Sequence, residues 1–182
     1  PHQNDTGGFF IAVLQKAGSL EEEDPPPQAP PTEEREPWLA LLHDHFGIDP
    51  AALADFAIFR EGRRGVYIAN RDQRPTVRPK PDAVGMLFMH TDGKYPKLTT
   101  GAAMQFGHLA QQNVLDLSHE QVQAYLARRE FEATAGQTAV CSGTGYVLVR
   151  HQGFPLGIGV YRANRGTVES LYPKGWARQN VL

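Results

Sequence analysis

The alternation of apolar and polar positions divides the chain into three stretches. Phe9 to Leu14 is an unbroken apolar run between Gly7-Gly8 and Gln15-Lys16, the pattern of a short strand covered on both faces. Residues 17–36 show no periodicity and combine Glu21-Glu22-Glu23-Asp24 with Pro25-Pro26-Pro27 and Pro30-Pro31. Like charges repel and proline stiffens the backbone, so an extended linker is expected there. The sheet that the first strand needs is not supplied by this neighbour. The simplest expectation is that residues 1–16 close a larger domain lying upstream.

From Pro37 onward the pattern is that of a folded domain. Pro37 fits the first turn of a helix whose apolar face is Trp38, Leu41, Leu42 and Phe46, ended by Gly47. Asp49-Pro50 opens a short second helix, and Phe56 to Arg60 with Gly65 to Ala69 predict a hairpin with a basic tip. Val84 to His90 predicts a strand, and Asp92-Gly93 turns the chain toward Tyr95 to Leu98. Thr99 or Thr100 caps a helix carrying Ala103, Met104, Phe106, Leu109 and Ala110. Ser118 and Gln121 have the spacing of a capping box ahead of Val122, Tyr125 and Leu126. Tyr146 to His151, Phe154 to Tyr161 and Thr167 to Leu171 predict three closing strands. Mixed helix and strand followed by a run of strands predicts one α+β domain over 37–182, its sheet curled into a partial barrel.

Charge sharpens the division. The net charge of -2 sets an acidic first 36 residues, with Lys16 and Arg35 against eight acidic groups, beside a mildly basic remainder. From Gly145 to the end Arg150, Arg162, Arg165, Lys174 and Arg178 face only Glu169, a balance suited to a polyanion or to a solvated face. No run of about 18 apolar residues predicts a membrane span. The single cysteine, Cys141, excludes an intrachain disulfide and fits a reducing, cytoplasmic setting.

Candidate chemistry is sparse. Cys141 in Cys141-Ser142-Gly143-Thr144-Gly145 has no evident base to lower its pKa, so a loop cysteine entering a strand is the plainer reading. His43 and His45 are two apart and face different sides of a helix; His90, His108, His119 and His151 are dispersed, so a metal site is not expected. Gly153, Gly157, Gly159 and Gly166 punctuate the last strands, where glycine permits bulges and close approach. The strand Phe154 to Tyr161 beside Leu171-Tyr172-Pro173-Lys174-Gly175-Trp176-Ala177-Arg178 supplies backbone donors, cations and rings of the kind that bind unpaired bases. The same rings also suit anchoring of the final segment on the core.

These residues carry a resemblance. Pro1-His2 through Thr6-Gly7-Gly8-Phe9-Phe10 with Ala12 and Leu14 resembles the closing strand of the methyltransferase domain in the Sun family of RNA cytosine-5 methyltransferases. Lys97-Leu98, the Phe106 helix, Gly145 to Val149, Pro155-Leu156-Gly157 and Tyr172-Pro173-Lys174-Gly175 with Arg178 are similar to that family's PUA-like RNA-binding module. The resemblance implies an S-adenosylmethionine pocket and two catalytic cysteines in the upstream domain, and neither a catalytic residue nor a cofactor within this chain. Cys141 resembles one family cysteine motif but lacks its Asp-x-Pro lead, Thr138-Ala139-Val140 standing there instead. The expected role is to hold structured transfer or ribosomal RNA for the catalytic domain. Arg150, Arg162, Lys174 and Arg178 are the expected phosphate contacts, Tyr172 a stacking or docking residue and Gly157 a close-approach position; Lys94 and Lys97 form a second patch. A protein-docking module would instead present an apolar patch around Trp38, Tyr172 and Trp176, and a cysteine enzyme would need an activated Cys141.

Overall fold

The computed structural model describes residues 35–61, 65–72, 83–91 and 97–177. The apolar run at Phe9 to Leu14, most of the acidic linker, the hairpin tip and the turn at Asp92-Gly93 lie outside them.

Helix α1, Arg35–Phe46, buries Trp38, Leu39, Leu42 and Phe46. Leu41 is 40% exposed, a correction to the expected face. At about 100° per residue, positions 38, 42 and 46 drift by roughly 40° a step, toward Leu39 and away from Leu41. The Arg35 guanidinium donates to the carbonyls of Leu53 and Ala54, tying the helix start to the 3-10 turn Pro50–Leu53 that Asp49 caps. Gly47, at φ 64°, turns the chain out of the helix.

Strands β1 (Phe56–Glu61), β2 (Gly65–Asn70), β3 (Met86–His90) and β4 (Lys97–Leu98) form an antiparallel sheet in chain order. Helix α2, Thr100–Phe106, follows at once: Thr99 Oγ1 accepts from the Ala102 amide and donates to Leu87 O, capping the helix and pinning it to the sheet. Ala102, Ala103 and Phe106 are buried, while Met104 faces solvent, contrary to the expected apolar face. Phe106 meets Phe56 and Phe88 edge-on, at 5.3 and 5.5 Å between centroids.

The second half comprises β5 (Val114–Asp116), α3 (His119–Leu126), β6 (Phe131–Glu132), α4 (Ala135–Thr138), β7 (Gly145–His151), β8 (Phe154–Arg162), β9 (Thr167–Ser170) and α5 (Lys174–Ala177). Its sheet runs β5-β7-β8-β9-β6, with β5 parallel to β7 and the other pairs antiparallel. Helix α3 carries the chain from one edge strand to the other, and the sheet curls beneath it into the expected half-barrel of an α+β fold. The short β5, β6, α4 and α5 were not among the expected elements.

Local chemistry fixes both ends of α3. Ser118 and Gln121 form the capping box, and Thr134 with Gln137 repeats it at α4. The two glutamine amides also bond each other, at 2.8 and 3.1 Å, so the two caps are one network. At its C-terminus the Arg128 amide bonds Tyr125 O and the Arg129 amide bonds Ala124 O, the two bonds of a Schellman motif. Arg128 therefore takes the left-handed position, φ 57°, where glycine is the usual occupant. A side chain there costs about 1 kcal/mol.

One apolar cluster joins the halves: Trp38, Leu42, Phe46, Phe88, Leu98 and Phe106 of the first pack with Val114, Leu148 and Ile158 of the second. A second cluster of Leu115, Tyr125, Phe131, Val147, Val149, Tyr161 and Val168 fills the curled sheet under α3. His45 bridges the halves as well, Nε2 donating to Tyr146 O at 2.9 Å. Burial lowers its pKa below 6.5, and the carbonyl contact only partly opposes that. A His whose folded pKa is depressed contributes stability that is complete above pH 6.5 and is lost as pH falls toward the folded value. His45→Gln is therefore expected to flatten the stability profile below pH 6.5, measured as urea midpoints at pH 5 and 7. An unchanged slope would show that His45 does not set it.

Candidate nucleic-acid interface

The expected RNA contacts fall into distinct environments. Lys94 and Arg178 lie outside the described residues. On β7, Arg150 gives both Nε and Nη2 to Asp116 Oδ2, at 2.8 and 2.7 Å, across the parallel β5–β7 pair. On β8, Arg162 pairs with Glu169 at 2.8 Å. Both ion pairs are partly solvated, and such pairs contribute about 0–1 kcal/mol, so a phosphate could replace either carboxylate cheaply. In the structure, however, the two cations are already neutralised.

Gly157 is close to a neighbour, and the neighbour is its own chain. It is buried on β8 at φ 145°, beside a register shift opposite Val149/Arg150, and a Cβ there would lie 2.5 Å from the Tyr125 hydroxyl. That hydroxyl donates to Ile158 O at 3.0 Å, and burial raises its pKa far above 10. Tyr172 is half-buried and meets Tyr125 edge-on at 5.6 Å and Trp176 at 5.8 Å, which docks the last segment onto the half-barrel. Trp176 is 43% exposed and Trp38 is buried in the first core, so the three rings form no common apolar patch. Among the described residues the most exposed large apolar side chain is Phe154, 75% open, directly after the Gln152-Gly153 turn whose two residues both have positive φ.

Lys174, at the start of α5, has no carboxylate partner among the described residues, nor have Lys97, Arg128, Arg129 or Arg165. The Lys97 ammonium sits 5.8 Å from the centroid of the Tyr146 ring. Lys97 also borders a cleft of about 320 Å3 between the two halves, with His90, Thr99, Thr100 and Arg128 around it and Leu98, Ile158 and Leu171 as its apolar lining. Arg128 was not among the expected site residues; nothing in Ala127-Arg128-Arg129 signals its backbone position.

The other candidates do not assemble. Burial raises the Cys141 pKa, the opposite of what a nucleophile requires. His119 and His151 come within 6.5 Å between ring centroids, yet among the described residues no group of three His, Cys, Asp or Glu side chains could hold a metal. Among the same residues no helix is long and apolar enough to cross a membrane.

Residues 112–178, from just before β5 to one position past the last described residue, match the family described as the methyltransferase RsmF PUA domain. The chain is 27% identical over 190 residues to the ribosomal RNA small subunit methyltransferase F of Aeromonas salmonicida (strain A449), and 26% identical to that of Aeromonas hydrophila subsp. hydrophila. Each match covers 100% of this chain and 38% of the relative, so the chain spans well under half the length of the relatives it matches.

Proposed function

We propose, from the match of residues 112–178 to the methyltransferase RsmF PUA-domain family, that the chain holds structured RNA for an S-adenosylmethionine-dependent cytosine-5 methyltransferase domain of the same protein. The observation that carries this reading is the set of unneutralised cations: Lys97, Arg128, Arg165 and Lys174 have no carboxylate within ion-pair distance among the described residues. Cations without partners favour a polyanion, because each phosphate contact releases a condensed counterion. The names of the relatives favour small-subunit ribosomal RNA over transfer RNA as the substrate. The absence of a shared Trp38, Tyr172 and Trp176 patch weighs against a module that only docks protein.

The methyl donor is assigned to the catalytic domain. Dinucleotide and adenosyl cofactors are held by glycine-rich turns that leave a helix N-terminus open to the ligand. Here three of the four described helices that follow strands, α2, α3 and α4, are each closed by their own Thr99, Ser118 or Thr134 hydroxyl. We therefore assign neither an S-adenosylmethionine contact nor a catalytic residue to the described residues.

A salt series tests the reading. Binding to a small-subunit ribosomal RNA fragment is expected to weaken steeply between 50 and 200 mM salt, and Lys174→Ala to reduce the salt slope by about 1. Salt-independent binding, or no binding at 50 mM, would overturn it.

A further inference from the structure

We propose that the cleft between the two halves accepts one unpaired nucleotide of the RNA, with its phosphate held between Arg128 and Lys97 and its base against Leu171. This rests on the RNA-holding reading and narrows it to a subsite. Three observations converge on the cleft. Its volume, about 320 Å3, is at the small end of ligand sites and too confined for a duplex. Its lining joins two cations and the His90 imidazole to the part-exposed apolar side chain of Leu171, with the core residues Leu98 and Ile158 behind it, as a charged phosphate and a flat base require. The Thr99 hydroxyl is committed to Leu87 O and the helix cap, whereas Thr100 makes no side-chain hydrogen bond to another described residue.

The third observation is Arg128 itself. It occupies the left-handed position of a Schellman motif, where glycine would close α3 without strain. Its side chain has no carboxylate partner, and the nearby Tyr125 phenol is neutral because burial holds its pKa high. A cation near a helix C-terminus does gain from the helix dipole. That gain needs no cleft, whereas Arg128 and Lys97 both line one.

Because glycine suits the backbone, Arg128→Gly separates binding from folding. Its thermal midpoint is expected to equal or exceed that of the unaltered chain, while affinity for a small-subunit ribosomal RNA stem-loop with unpaired loop nucleotides falls about tenfold. Affinity for a fully paired RNA duplex of equal length should change less than about twofold. In methyl NMR spectra the Ile158 and Leu171 signals should move with the stem-loop and not with the duplex. If the stem-loop binds but these methyls stay still, or Arg128→Gly binds it as tightly as the unaltered chain, the subsite is wrong and the RNA-holding reading survives. Failure of the chain to bind either RNA at low salt would remove both. Cytidine 5′-monophosphate moving the same methyls in a chain that binds no RNA would make the cleft a free-nucleotide site and overturn its assignment to RNA.

Discussion

Gly157→Ala is expected to destabilise the fold by about 2–4 kcal/mol, the sum of strain at a positive φ, overpacking and a disturbed buried hydrogen bond. The added methyl would sit 2.5 Å from the Tyr125 hydroxyl and 3.5 Å from a methyl of Thr100. Tyr125 has nowhere to retreat: it is fully buried, its hydroxyl is bonded to Ile158 O, and its ring abuts Tyr172. Against a total stability of roughly 5–15 kcal/mol, such a loss lowers the urea midpoint visibly. A double-mutant cycle gives the mechanism. Tyr125→Phe removes the atom that collides, so it should cost about 1 kcal/mol alone yet recover part of the loss in the Gly157→Ala background. Strictly additive effects would mean that the strain lies in the backbone and not in this contact.

Asn113→Ala is expected to cost about 3 kcal/mol, because it removes part-buried hydrogen bonds to two other segments and puts alanine at a left-handed position. Asn113 is 2% exposed and left-handed at φ 47°, a conformation asparagine tolerates better than alanine. Its Nδ2 donates to His45 O at the end of α1 and to Ser142 Oγ, and its Oδ1 accepts from the Ser142 amide at 2.9 Å. Its backbone bonds Val140 O and the Leu148 amide, each at 2.8 Å. One side chain thus fastens α1 and the loop before β7 to the entry of β5. Asn113→Asp keeps the acceptor for Ser142 but sets a carboxylate against the His45 carbonyl, so it should be no milder at pH 7. A loss below about 1 kcal/mol for the alanine variant would mean that water replaces these bonds.

The parts of the fold legible in the sequence are those with local causes. Thr99, Ser118 and Gly47 mark helix ends through side chains and φ values that act within four residues, and the hairpins follow from alternation and turn chemistry. β5 and β6 have three and two residues, too few to show a period, and exist because the pairings Leu115–Val149 and Phe131–Val168 complete the sheet. Thr134 and Gln137 did carry the capping-box spacing that would have revealed α4. At the site, the sequence shows which residues are basic but not which are neutralised, since Asp116–Arg150 is a contact 34 residues apart. Gly157 illustrates the same limit: the need for close approach is visible in its type, while the approaching group comes from a helix 32 positions earlier.

The apolar cluster shared by the two halves bears on modularity. Leu148 and Ile158 belong to the segment that matches the PUA family, yet they are sealed by Leu98, Ala103 and Phe106 from outside it. A chain cut at residue 112 would wet that seam, at about 25 cal/mol for each Å2 of apolar surface uncovered. The segment that the family model matches is thus smaller than the apolar core it takes part in. Residues before 112 complete the apolar core of the segment behind them and keep its seam dry.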